Sequence, residues 1–88
     1  MGKVDCLGWP GCEVWFWSKD HLEHHFHVKS PGSWEVRVFF GPEPPHYDVV
    51  WQVAHIPGKQ MRAFLREVSS KREELYREWD AKVVVEDR

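Results

Sequence analysis

Four of the six histidines fall within seven residues, His21-Leu22-Glu23-His24-His25-Phe26-His27. Imidazole binds transition metals, carries protons and changes charge near neutral pH, so this stretch is the first candidate for chemistry. His25 and His27 alternate with Phe26. On an extended chain they share a face and stand roughly 6.5–7 Å apart. Two imidazoles so placed can grip one metal ion, and zinc asks for one or two further ligands. His21, Glu35, His46 and Asp48 are the candidates for that role. Zinc is the candidate ion, and spacing alone does not fix which of these joins His25 and His27. An open coordination position would hold a water acidified for hydrolysis.

The same residues could act without a metal. One imidazole as base, another as acid and Arg37 beside a developing phosphorane charge make a ribonuclease arrangement. The candidate catalytic set is His21, His25, His27 and Arg37. Histidines at a loop-to-strand junction also cap, stack on tryptophans or bond to backbone, so a structural or interface role stands beside both readings. His24 points away from His25, and His55 sits at a helix entrance; both read as incidental.

The elements that must carry these residues are legible as two halves. Glu13-Val14-Trp15-Phe16-Trp17 is short, aromatic and β-branched, and reads as a strand. His25 to Lys29 and Trp34 to Phe40 alternate polar with apolar, separated by the turn Ser30-Pro31-Gly32-Ser33. Gly41-Pro42-Glu43-Pro44-Pro45 is a loop, because its prolines cannot donate to a ladder. Tyr47 to Val53 completes a meander of short links. Alternation sets Phe26, Val28, Trp34, Val36, Val38, Val49, Trp51 and Val53 on the face a helix should cover. His25, His27, Glu35, Arg37, Asp48 and Gln52 fall on the other, with Trp15 and Trp17 if the first strand pairs in register.

After Pro57-Gly58 the period changes. Met61, Phe64, Leu65, Val68, Leu75, Tyr76 and Trp79 fall within one helical arc of roughly 120°. They predict one continuous helix of about 24 residues, some 36 Å long. If it bends, the place is Ser69-Ser70, where Ser70 and Glu73 have capping-box spacing. Val83-Val84-Val85 offers a short last strand or an apolar tail. The expected fold is α+β: a three- to four-stranded antiparallel sheet with one long amphipathic C-terminal helix on one face, in a single domain spanning 1–88.

Six Trp, five Phe and two Tyr exceed what one core of 88 residues can hide. The surplus predicts an aromatic interface built from Trp15, Trp17 and Phe39, for self-association or a protein partner. A net charge of −2 gives no general case for nucleic acid or an anionic membrane. No apolar run approaches the roughly 18–20 residues that span a bilayer, and no secretion-signal layout opens the chain, so a cytoplasmic protein is expected. Cys6 and Cys12 then read as reduced thiols, with a disulfide around Trp9-Pro10-Gly11 as the alternative. Lys59, Arg62 and Arg66 share the helix face opposite the apolar stripe, where RNA or an acidic protein could bind. Positive charge so near a helix N-terminus opposes the macrodipole. Arg72 falls inside the apolar stripe and must snorkel outward or meet a buried carboxylate.

Asp20-His21 followed by His25-Phe26-His27-Val28 resembles the Asp-His-x-Pro-Pro-His-Phe-His-Val signature of small bacterial proteins grouped as domain of unknown function 4160. Arg72-Glu73-Glu74-Leu75 with Trp79 is similar to that family's helix ending, and the likeness runs from Glu13 to Val83. Glu23-His24 stand where two prolines are usual, so the rigidity of that loop is not carried over and a histidine is gained. The resemblance implies a bacterial accessory protein, encoded beside a second small protein in a toxin–antitoxin-like arrangement, that binds a protein partner. It carries over His21, His25 and His27 as the suspected site, which makes them the candidate metal set, and implies no established activity. The expected function is a protein-interaction module, with a ribonuclease or metal-dependent hydrolase centred on the histidines as the alternative.

Overall fold

A computed structural model describes residues 2–85. Its elements run β1 (Gly2–Lys3), β2 (Glu13–Phe16), β3 (Lys19–Asp20), β4 (His25–Ser30), β5 (Trp34–Phe39), β6 (His46–Gln52), α1 (Gly58–Ser70), α2 (Arg72–Lys82) and β7 (Val84–Val85). The chain is α+β as expected, but the main sheet has five antiparallel strands, ordered β1-β2-β4-β5-β6, rather than three or four. The added strand, β1, is only two residues long and so shows no periodicity to read. A second, two-stranded sheet pairs β3 with β7 in parallel.

Alternation sorts the side chains as predicted over most of the sheet. Val14, Val28 and Val36 lie in one cross-strand row and Phe26 and Val38 in another, all facing the helices. Met61, Phe64 and Val68 from α1 and Leu75 and Trp79 from α2 close over them, with Leu65 and Tyr76 packed at the margin. Phe16, Phe26 and Phe40 are completely buried. Each such side chain removed from water contributes on the order of 1.5–3 kcal/mol.

The single long helix is not found. It divides at Lys71, which has φ −106° and ψ 14°. The Lys71 N–H is shared between the carbonyls of Glu67 (3.0 Å) and Val68 (3.2 Å), a terminal turn rather than a continuing helix. Ser70 does not cap α2; its hydroxyl donates back to the Glu67 carbonyl at 2.9 Å, the local competition that makes serine a poor interior helix residue. Arg72 sits just past the break. Its Nε donates to the Phe40 carbonyl (2.9 Å) and its Nη2 to that of Pro42 (3.0 Å), while Nη1 reaches exposed Glu43 (3.1 Å). The stripe arginine thus turns outward and ties the proline-rich loop to the helix junction.

The second correction lies in β6. Trp51 opposes Glu35 but Val49 opposes Val36, so Val50 is an extra, bulged residue. The bulge reverses the parity beyond it. Trp51 joins the histidine face, and Gln52 comes opposite Trp34. Val49 on this edge strand is 46 % exposed and Val53 just beyond it 78 % exposed, instead of lying in the core.

The N-terminal arm is fastened to α2. Both oxygens of Glu78 accept backbone N–H groups, from Asp5 (2.7 Å) and Cys6 (2.8 Å). Lys82 Nζ donates to Glu78 (2.8 Å), Asp5 (2.7 Å) and the Lys3 carbonyl (2.7 Å). Burial alone would raise the Glu78 carboxyl, but these donors hold it at about 2. Cys6 and Cys12 are free thiols, and burial with the adjoining Glu78 carboxylate pushes Cys6 up to about 12.

Candidate functional site

On β4 the alternation that buries Phe26 sends His25 and His27 to the opposite face, yet each is only 7 % exposed. Aromatic neighbours enclose them. Trp15, the cross-strand partner of His27, stacks on its ring at 5.3 Å and 21°, and Trp17 meets it edge-on at 5.9 Å. Phe39, opposite His25, lies 5.4 Å from that ring.

A carboxylate completes the cluster. Asp20 leaves β3 with Oδ2 3.0 Å from His25 Nε2 and 4.0 Å from His27 Nε2. One donor atom from each of Asp20, His25 and His27 lies within 4.8 Å of the other two. The second nitrogen of each ring is backed by an oxygen. His25 Nδ1 is 2.7 Å from the Glu23 carbonyl. Since a carbonyl only accepts, that nitrogen carries the proton. His25 Nε2 then faces a carboxylate oxygen, a contact that requires a proton on the ring, a proton on Asp20 or a shared cation. His27 Nδ1 is directed at Glu35 Oε2 across 3.4 Å and makes no hydrogen bond, although it is buried. Glu35 in turn accepts the Trp51 indole N–H on Oε1 at 3.1 Å. Burial lowers the His27 pKa and neighbouring His25 lowers it further, against the pull of Asp20 and Glu35.

Two imidazole nitrogens and one carboxylate oxygen are the donor set of three-ligand zinc and non-haem iron centres. Metal-ligating histidines characteristically give their other N–H to a carboxylate or a backbone carbonyl. The Glu23 carbonyl gives His25 this backing, while Glu35 stands behind His27 at 3.4 Å without a formed hydrogen bond. In kind and number the residues fit a single divalent ion, with His25 already close to Asp20 and His27 farther from it.

The sequence-derived residues divide accordingly. His25 and His27 meet. His21 is exposed and outside the converging donor set; its backbone N–H donates to Asp20 Oδ1 at 2.9 Å. Arg37 is opposite His27 on the same face but half-exposed, 3.7 Å from Asp48 and 5.9 Å from the Phe39 ring centre. His46, considered as a ligand, stacks on Phe39 at 5.1 Å. Of the expected interface residues Trp15 is buried, Phe39 half-buried and Trp17 46 % exposed. His24 packs between Phe40, Tyr76 and Trp79. Lys59, Arg62 and Arg66 are exposed on α1, whose buried side packs on the other face of the sheet. The member of the cluster that the reading passed over is Asp20, and its signal was available: a carboxylate opening the same short motif as the two histidines.

Fold and site together define a small α+β domain with helices on one sheet face and a two-histidine, one-carboxylate cluster buried on the other. Residues 11–80 match the family model described as Domain of unknown function (DUF4160), and the chain belongs to that family. The matched span contains Asp20, His25, His27, Glu35 and Trp51, while β1 and β7 lie outside it. No curated protein and no solved structure matches the chain.

Proposed function

We propose that the protein binds one divalent transition-metal ion through Asp20, His25 and His27 and works as a metal-dependent hydrolase. The convergence of three donor atoms within 4.8 Å supports this reading, together with an acceptor behind each imidazole. Structural zinc sites are closed by four protein ligands, whereas catalytic ones use three and leave a position open. An ion held there would bring a bound water to a pKa of about 7. Arg37, across the strand from His27, suits an anionic substrate such as a phosphodiester. Titration of chelator-treated protein with zinc or cobalt, followed by calorimetry, is the test. We expect stoichiometric binding, lost in Asp20→Asn, His25→Ala and His27→Ala and kept in His21→Ala. Absence of binding up to about 1 mM metal overturns the reading.

A separate observation supports a second reading, the protein-interaction module. Tyr47, Val49, Val50 and Val53 expose an apolar row on or beside β6, and Trp17 adds an exposed aromatic on the histidine face. Unpaired edges of this kind are templates for another chain. We infer that a second copy or a protein partner, as in the toxin–antitoxin-like arrangement the family resemblance implies, covers this edge. RNA on Lys59, Arg62 and Arg66 would lie across the sheet from the histidines and would not reach them. Two free thiols suit the reducing cytoplasm, and no helix of the described residues is long and apolar enough to cross a membrane.

A further inference from the structure

Asp20 is the one member of the cluster that does not stand on the main sheet. It ends β3, a two-residue strand whose sole strand partner among the described residues is β7, with Lys19 opposite Val84 and Asp20 opposite Val85. The Val84 N–H donates to the Ser18 carbonyl at 2.8 Å. Two strands of two residues have little stability of their own. What holds β7 is its attachment to α2: Val83 is buried, and its N–H closes the helix on the Trp79 carbonyl at 2.9 Å. The carboxylate of the site is therefore placed by the far end of the chain, while both histidines are placed by the central strand.

We propose that β7 is a positioning strap: pairing of Val84–Val85 with Lys19–Asp20 holds the Asp20 carboxylate against His25 and His27 and so completes the site. The consequence for metal affinity rests on the metal reading; the positioning of Asp20 against His25 does not. Because coupling is reciprocal, an ion bound by Asp20 would also tighten the docking of β7. Whatever displaced the C-terminal segment would open the site by withdrawing one ligand and leaving two.

Val84→Pro isolates the strap. Val83 has φ −117° and ψ 132°, the conformation favoured before proline, so the substitution suits the preceding residue and removes the Val84 donor to Ser18. Zinc affinity, thermal melting and the ¹⁵N shifts of the His25 ring in metal-free protein are measured for Val84→Pro, Val84→Ile and the unaltered chain. We expect zinc affinity to fall about 10- to 100-fold in Val84→Pro, the usual effect of losing support behind a ligand. Melting should be nearly unchanged, and Val84→Ile should bind like the unaltered chain. Unchanged affinity in Val84→Pro overturns the strap. If the unaltered chain binds no zinc, the metal reading falls by itself, and the His25 shifts decide: movement on Val84→Pro upholds the strap and identity overturns it. Should Val84→Pro fail to fold, a chain ending at Val83 supplies the same readouts.

Discussion

Trp51 donates its indole N–H to Glu35 at 3.1 Å, and the other oxygen of that carboxylate stands 3.4 Å behind His27. The contact exists because Val50 is bulged out of β6. Without the bulge, strict alternation would turn Trp51 toward the helices, and one oxygen of Glu35 would lose its protein donor. An irregularity on an edge strand thus orients a carboxylate on the neighbouring strand, behind a histidine of the central one.

Trp51→Phe keeps the ring and removes the donor. We expect zinc affinity to fall by about tenfold, the lower end for a residue that orients a ligand's partner, and stability to fall by about 1 kcal/mol for one hydrogen bond. Calorimetric titration and urea denaturation of the same preparation check both. Unchanged metal affinity would separate Glu35 from the site.

Glu78 predicts an acid limb in stability. Its folded pKa of about 2 lies below the usual 4.5, so its contribution is complete above pH 4.5 and is lost as pH falls toward 2. After discounting for solvent screening around the exposed Asp5–Lys82 pair, its contribution is on the order of 1–2 kcal/mol. Urea unfolding between pH 7 and pH 2 should show the decline, and Glu78→Gln should lower the neutral value and flatten the acid limb. A variant with the same pH profile as the unaltered chain refutes the assignment.

Truncation of Phe26 tests the division of β4 between core and site. Phe26→Ala empties a completely buried ring position and should lose on the order of 3–5 kcal/mol. His25→Ala and His27→Ala should lose less, because they also relieve a crowded, partly unsatisfied polar cluster. Chemical denaturation ranks the three; equal losses would contradict the division.

The open edge gives a prediction on assembly. If β6 pairs with another copy, light scattering after size exclusion should report a mass that rises with protein concentration. Val49→Lys places a charge on that edge and should return the protein to a monomer. A monomer at every concentration removes self-pairing.

Much of this architecture could be read from residue order because it is periodic. His25-Phe26-His27-Val28 announces one face for chemistry and one for packing, and the stripe from Met61 to Trp79 names the side chains that cover the packing face. What escaped has no period. The pairing of Lys19–Asp20 with Val84–Val85 joins two dipeptides far apart in the chain, so neither announces the other. The bulge at Val50 leaves no mark in a run of apolar residues, yet it moves Trp51 across the sheet. At the helix junction serines were visible, but the terminal turn falls at Lys71, where the Arg72 guanidinium finds its carbonyls. His21 drew attention by type; Asp20 beside it has the geometry.

The clasp of Lys82 on the Lys3 carbonyl also fixes β1 against the end of α2. A methyl group built on Gly2 would stand 3.1 Å from Lys82 Cδ, so the opening strand and the last helical turn are nearest neighbours. Contacts on Lys82 and the pairing of β7 with Lys19–Asp20 thus leave the same helix end, so one short stretch of chain anchors both the edge of the main sheet and the carboxylate of the cluster.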